Sequence, residues 1–387
     1  MENKKNKNIL FIAGVLDEMI PSIIEIIKEL ISLGHNVTCY NLDKFTESLK
    51  ETGAKLKPYP IDKSQFEKLP LFIVERVKVS IMFKTAYEFI FNDYKNSEEK
   101  YDFLLYDCYF DGTEINKILK IPTIISLYTS PLEEKFPFIE ITKQDRIKGF
   151  KGINQKYNIN IRDFLSVRYI FEAKYNIMLS SKLFQQKLKM LKDDTFSFIG
   201  PTLEKKPFNE TFTFKKDENK KLINISIYSV FHNNTEFYKM CIDTFRNSKE
   251  FQVILDVQEK VDIKQLGDLP ENISVFKEVP QHQILPMTDV FITDSRRMYV
   301  ISRALFINKL PLILIKQENE YLHARLIERL EAGISYDIKK LNNENLIEVI
   351  NSFISNKSKY MNGVENIVKS FKEARDERKI ILEKIFS

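Results

Sequence analysis

A polar loop between a strand-like and a helix-like stretch is the part of the sequence best suited to binding an anion. Residues 290–293, VFIT, are apolar and rich in β-branched side chains, which predicts a buried strand. Residues 299–307 keep apolar side chains at helical spacing. Because the N–H groups that open a helix point into such a loop, open α/β sheets bind phosphate there. The pattern predicts a phosphate-contacting site at four residues, Asp294, Ser295, Arg296 and Arg297.

The two arginines of this loop leave two interpretations open. Guanidinium groups bind phosphate directly and could replace contacts that a glycine-rich backbone would otherwise make. Arg296 and Arg297 could equally form surface salt bridges at the start of the helix. The sequence favours neither.

Strand and helix patterns alternate on both sides of this loop. In the first half, apolar runs predict strands at residues 8–15, 36–40, 103–106, 122–126 and 176–180. In the second half they predict strands at residues 222–227, 252–255, 273–276, 290–293 and 312–315. The alternation indicates an α/β protein with two doubly wound halves. We expect a first domain at 1–202, a linker at 203–220, a second domain at 221–363 and a closing helix at 364–387. Residues 131–160 are expected to form an excursion outside the core.

Composition narrows the function classes. At 387 residues the chain exceeds one ordinary domain. A net charge of +5, with Lys and Glu interspersed, does not predict a nucleic-acid partner. The three cysteines lie in or beside apolar runs and are expected to be buried thiols in a reducing compartment, which favours a cytoplasmic protein. No His/Cys spacing predicts a metal site, and the apolar run near the N-terminus is too short to span a membrane.

Several short segments carry a family resemblance over nearly the whole chain. They are Glu29–Ile31, Gly34–Thr38, Tyr106–Asp107, Phe198–Pro201, Glu236–Lys239, Val279–Gln281, Asp289–Thr293 and Glu331–Ile334. In their order and spacing the chain resembles the macrolide-type branch of glycosyltransferase family 1. The resemblance implies a GT-B fold, in which two Rossmann-like domains face each other across a cleft and the C-terminal helix crosses back to the first domain. It also implies a UDP-sugar donor and a small hydrophobic acceptor in the cleft.

The catalytic positions depart from the family pattern. Glu18 stands where the family has the His that deprotonates the acceptor hydroxyl, and the Asp that orients this His is retained as Asp107. Losing an imidazole that titrates near neutral pH removes the usual base. Glu18 and Asp107 could act as a carboxylate pair with one raised pKa. The preferred interpretation is that both are solvated loop carboxylates at a disused cleft, because a general base has no catalytic role without an adjacent donor site.

The donor positions depart as well. Asp294 replaces a phosphate-binding His with a negative charge, and the loop after it has lost both of the family's glycines. Arg303 stands where a ribose-binding Glu is expected. The pair that reads the sugar hydroxyls aligns with Asn319 and Glu320. The remaining donor-side positions are Tyr228 and Ser229 after the first strand of this half, and Gln281, which is retained.

Three functions remain as hypotheses. The first and preferred one is a pseudo-glycosyltransferase that needs no cofactor and binds a small hydrophobic molecule. It could alternatively assist an active glycosyltransferase or act as a homodimer. The second is an active inverting glycosyltransferase with Glu18 as base and a nucleotide-sugar donor held by the two arginines. The third is an enzyme of another class that uses Glu18 and Asp107 in the same cleft.

Overall fold

The computed structural model describes residues 6–14, 19–60, 71–108, 110–128, 151–161, 173–185, 195–203, 212–227, 235–257, 261–294, 298–315 and 321–387. Side chains are described for these residues except 71–80, 298, 315 and 321–323. The strands in these ranges form two separate sheets.

The first sheet has seven strands, and all its neighbouring pairs are parallel. In chain order they are β1 (Asn8–Ile12), β2 (Asn36–Leu42), β3 (Lys55–Tyr59), β4 (Phe103–Asp107), β5 (Thr123–Tyr128), β6 (Tyr175–Met178) and β7 (Phe196–Phe198). Their spatial order is β3–β2–β1–β4–β5–β6–β7. All five residues of β4 are buried, as expected for a central parallel strand covered on both faces.

The second sheet repeats this plan with six parallel strands. They are β8 (Lys221–Ser226), β9 (Phe251–Asp256), β10 (Ile273–Phe276), β11 (Val290–Asp294), β12 (Pro311–Ile315) and β13 (Ile334–Asp337). Their order is β10–β9–β8–β11–β12–β13. The strand order therefore reverses between β1 and β4 in one sheet and between β8 and β11 in the other. The carboxyl ends of those strands are where open α/β sheets bind ligands.

The helices lie between the strands along the chain. They are α1 (Ile20–Ser32), α2 (Thr46–Leu49), α3 (Leu71–Lys95), α4 (Gly112–Leu119), α5 (Thr235–Phe245), α6 (Gln281–Met287), α7 (Met298–Phe306), α8 (Tyr321–Arg329), α9 (Leu346–Ser355) and α10 (Lys357–Ile385). Helix α1 has Pro21 in its first turn, where proline is well tolerated. Its isoleucines form a buried stripe, as expected for a helix that packs on a sheet. The predicted α/β architecture with two doubly wound halves is confirmed. The domain boundaries stay a prediction.

Helix α10 joins the two halves. It begins at Lys357, earlier than the predicted residue 364. Its first part packs Val364, Ile367 and Phe371 into the core of the second sheet. Beyond its middle it reaches the first sheet, where Leu382, Ile385 and Phe386 join the other core. The predicted crossing back to the first half is confirmed.

Residues 151–161 correct one sequence expectation. The stretch 131–160 was expected to lie outside the core, yet Ile153 is buried in the first core and Ile159 packs against it. Residues 151–157 are helical, and the Tyr157 hydroxyl donates to Asn92 Oδ1 at 2.9 Å. The isoleucines are single apolar residues in a Lys-rich stretch, so their pattern did not indicate burial. Residues 129–150 lie outside the described residues.

A buried ion-pair cluster fastens α10 to α1. Arg378 is 1% exposed, and its guanidinium bonds to the Glu25 carboxylate and, at 3.3 Å, to Glu29 Oε2. Arg375 Nη1 donates at 2.6 Å to Glu25 Oε1, the oxygen that Arg378 also contacts. Burial alone would raise the pKa of Glu25, but Arg378, the Thr202 hydroxyl and Arg375 together lower it to about 2. Burial and the neighbouring Glu25 raise the pKa of Glu29 despite Arg378.

We expect this cluster to make the protein acid-sensitive through Glu25. Its pKa falls from about 4.3 in the unfolded chain to about 2 in the folded one. The stabilisation is therefore complete above the unfolded value and is lost as pH falls towards the folded value, amounting to about 3 kcal/mol. The raised pKa of Glu29 acts in the opposite direction. Urea unfolding of wild type and Glu25→Gln across this range tests it. The variant should lose less stability on acidification, and equal losses would refute the assignment.

Candidate active site

Asp107 occupies the predicted base-orienting position at the end of β4. Its side chain is fully buried. A Cβ added to Gly14 would lie 3.0 Å from the Asp107 Cγ, so the carboxyl group packs directly on the backbone that leaves β1. This is the carboxyl edge of the sheet at its switch point. Glu18, its proposed partner, lies outside the described residues.

A buried tyrosine ends the edge strand of the same sheet. Tyr59, at the end of β3, is fully buried, and its hydroxyl has no hydrogen-bond partner within the described part of the chain. Burial, followed by the Cys39 thiol and the Asp107 carboxylate, raises the pKa of Tyr59. The hydroxyl therefore stays protonated and remains a potential hydrogen-bond donor.

The N-terminus of α4 is built onto the same edge. Asp111 caps the helix, accepting from the Glu114 N–H at 3.2 Å, and the Asp111 N–H donates to the Tyr87 hydroxyl at 3.1 Å. Glu114 in turn accepts from the backbone N–H of Asn160 at 2.7 Å. Sequence reasoning missed both acidic residues. Asp-x-x-Glu at the start of a helix is the signal that would have found them.

The corresponding edge of the second sheet is acidic. Asp256 ends β9 and Asp294 ends β11, and both are fully buried. Their strands flank β8, so the two carboxylates lie on either side of the switch point. Tyr238 of α5 donates its hydroxyl to the Asp256 backbone carbonyl at 2.9 Å and interacts electrostatically with both carboxylates. Burial first, and then Asp256, Cys241 and Asp294, raise its pKa well above the usual value.

Gln281 sits at the start of α6 with its amide turned into the protein. Its Oε1 accepts from Asn224 Nδ2 at 3.0 Å, and its Nε2 donates to Asp256 Oδ2 at 3.1 Å and to Ser226 Oγ at 3.3 Å. The Ser226 hydroxyl also donates to Asp256 at 2.6 Å. Both ends of the amide are thus occupied by protein groups. The network fixes the start of α6 against β8 and β9.

The other predicted donor-side residues cannot be placed. They all lie outside the described residues: Tyr228, Ser229, Ser295, Arg296, Arg297, Asn319 and Glu320. What the structure brings together at this edge is therefore Asp294, Gln281 and the unpredicted Asp256. Within the described ranges, no group of three or more His, Cys, Asp or Glu side chains is arranged to hold a metal ion. The helices described there include none long and apolar enough to cross a membrane.

Comparison with known proteins shows similarity to glycosyltransferases in both sequence and fold. The NDP-glycosyltransferase YjiC of Bacillus licheniformis is 29% identical over 317 residues, which cover 79% of this chain and 78% of that protein. YjiC of Bacillus subtilis is 26% identical over 368 residues, which cover 90% of this chain and 89% of that protein. The solved glycosyltransferase of kitacinnamycin aligns with a TM-score of 0.74 at 22% identity, over 98% of this chain and 99% of its own. The chain is similar in sequence to these glycosyltransferases and shares the GT-B fold of the solved ones. No family profile matches it.

Within this glycosyltransferase fold, Arg303 has a structural contact that the family resemblance did not imply. It lies on α7, directly after the altered donor loop. Its Nη1 donates to the Tyr299 hydroxyl at 2.9 Å and its Nη2 to the Leu203 carbonyl at 3.1 Å. The side chain at the position expected to bind ribose thus reaches the segment that leaves the first sheet.

Proposed function

We propose that this glycosyltransferase homologue no longer transfers sugar by the family's usual route and instead binds a small hydrophobic molecule between its two halves. One observation carries the proposal: Asp294 and Asp256 are both fully buried at the edge where a nucleotide diphosphate would bind. Carboxylates on both sides of β8 repel an anionic diphosphate. The low dielectric constant of a buried site strengthens that repulsion.

The loop after Asp294 supports the same proposal. It contains no glycine, so its backbone cannot approach phosphates as closely as a glycine-rich loop does. The buried Gln281 amide is already engaged with Asn224, Ser226 and Asp256. On this proposal the protein is a cytoplasmic pseudo-glycosyltransferase. It acts by itself, as a homodimer, or beside an active glycosyltransferase.

Calorimetric titration with UDP and with UDP-glucose tests the proposal. We expect no heat of binding from the wild type, with the Bacillus licheniformis relative titrated in parallel as the positive control. Asp294→Asn removes the charge and keeps the shape, and should raise UDP affinity by about tenfold or more. Micromolar binding by the wild type that weakens in Arg296→Ala/Arg297→Ala would instead mean that the arginines have rebuilt a donor site.

A second candidate, an active inverting glycosyltransferase with Glu18 as base, is favoured by the burial of Asp107. Burying a carboxyl group is costly, and here Gly14 leaves the space that Asp107 occupies. A disused cleft gives no reason to keep this arrangement. Sugar transfer from UDP-glucose to a panel of hydrophobic phenols and alcohols, lost in Glu18→Gln, would establish it. No transfer by the wild type would exclude it for that donor.

A further inference from the structure

The segment that leaves the first sheet, residues 199–203, is held by guanidinium groups along its backbone. Arg378 Nε donates to the Ile199 carbonyl at 2.6 Å, and its Nη2 donates to the carbonyls of Gly200 and Pro201, each at 3.0 Å. Arg375 Nη1 also reaches the Pro201 carbonyl, at 2.6 Å. Consecutive carbonyls of this segment therefore all accept from side chains of α10.

The same segment is also bound by Glu25 of α1. The Leu203 N–H donates to Glu25 Oε2 at 2.7 Å, and the Thr202 hydroxyl donates to the same oxygen. Gly200 has a φ of +73°, and a Cβ there would lie 2.5 Å from the Arg375 Cγ and 2.9 Å from the Phe371 carbonyl oxygen. The backbone of the segment thus has almost no room to rotate, although a connection between two domains is where hinge rotation normally occurs.

Arg303 connects the second half to this segment through a hydrogen bond. Arg375 and Arg378 lie on the part of α10 that packs against α1, whereas Arg303 belongs to α7, beside the second sheet. Its bond to the Leu203 carbonyl at 3.1 Å joins the second half directly to the fixed segment. Helix α7 begins just after the loop that follows β11, so this tie lies next to the donor-side edge.

A second connection between the halves runs beside this one. Phe184, from the stretch after β6, is fully buried in the core of the second sheet and stacks edge-on against Phe371 at 5.2 Å. The Ser181 and Ser370 hydroxyls lie 2.7 Å apart. Arg329 Nη2 donates to the Gln185 carbonyl at 3.2 Å. Apolar and polar contacts thus link the halves on both sides of the crossing helix.

We infer that residues 199–203, held by Arg375, Arg378 and Glu25, form a rigid connection that we call the clamped hinge. The hydrogen bond from Arg303 to the Leu203 carbonyl fixes the second half to it. The opening between the two switch-point edges then does not vary by rotation within residues 199–203. Without Arg303, helix α10 and the contacts around Phe184 remain as the links between the halves, so we expect the second half to gain freedom to move relative to the segment without separating from it. This inference does not depend on which ligand, if any, the cleft binds.

Double electron–electron resonance on the ligand-free protein tests it. Nitroxide labels at Glu47→Cys on α2 and Glu236→Cys on α5 report the separation of the halves, because those side chains are 84% and 89% exposed. The native cysteines are buried, so labelling is selective. The labelled parent should give a single narrow distance. Arg303→Met should add a second population or broaden the first, and the variant is expected to fold because Arg303 is only half-buried.

Arg246→Met is the matched control. Arg246 also donates to a backbone carbonyl, that of Asp268 at 3.1 Å, but both residues belong to the second half. Its distance distribution should superimpose on that of the parent. The clamped hinge is wrong if Arg303→Met leaves the distribution unchanged, if both variants broaden it equally, or if the parent distribution is already broad. None of these outcomes bears on nucleotide binding.

Discussion

Replacing Arg378 with methionine is expected to lower the free energy of unfolding by about 3–5 kcal/mol. The side chain is 1% exposed and bonds to Glu25, Glu29 and the carbonyls of residues 199–201. Methionine fills a similar volume without a charge. The loss therefore comes from leaving Glu25 and several carbonyls without their strongest donor in a buried site. Urea unfolding at neutral pH measures it.

Two variants separate this cause from a general loss of arginine. Arg246→Met removes an exposed arginine and should change stability by no more than about 0.5 kcal/mol. The double variant Glu25→Gln/Arg378→Met should recover part of the loss, because it removes the carboxylate that the single variant strands. A loss below about 1 kcal/mol for Arg378→Met would show that water or neighbouring groups replace the guanidinium.

Central strands were predictable from the sequence, whereas three of the four edge strands, β3, β7 and β13, were not. Strand β4 reads FLLYD and is wholly buried, so it appears as an apolar run. Strand β3 reads KLKPY and is half-exposed, because it lies at the edge of the sheet, where lysine and proline are tolerated. Strands β7 and β13 also lie at edges and were missed for the same reason.

The candidate site shows a similar division. Topology alone placed Asp107 and Asp294 at the carboxyl ends of strands, since a parallel sheet brings those ends to one edge. The sequence did not predict that both carboxyl groups would be buried. Nor did it find Asp256 or the Gln281 network, whose members come from β8, β9 and α6 and meet only in the folded chain.

Arg378 illustrates the same limit most sharply. The last helix was predicted from its apolar stripe, and a charged residue beside that stripe is expected to face water. Its partner Glu25 lies 353 residues away along the chain. No local pattern could therefore indicate that this arginine is the one drawn into the core.

Gly363→Ala is expected to cost about 2–4 kcal/mol, because a methyl group there has no space and overpacking outweighs the helix-forming preference of alanine. An added Cβ would lie 2.1 Å from the Leu330 carbonyl oxygen and 2.2 Å from that of Glu331. Both are backbone atoms, and Glu331 already holds a φ of +48°, so the turn that ends α8 cannot move aside cheaply. Helix α10 must then shift away from α8.

Gly152→Ala is the matched control for this prediction. Gly152 is also helical, and a Cβ there would meet nothing within 4 Å. It should gain up to about 1 kcal/mol from alanine's helix propensity. Urea unfolding of both variants should therefore give changes of opposite sign. Equal changes would mean that α10 is not pressed against the end of α8, and would remove the steric reason for glycine where the crossing helix meets the second half.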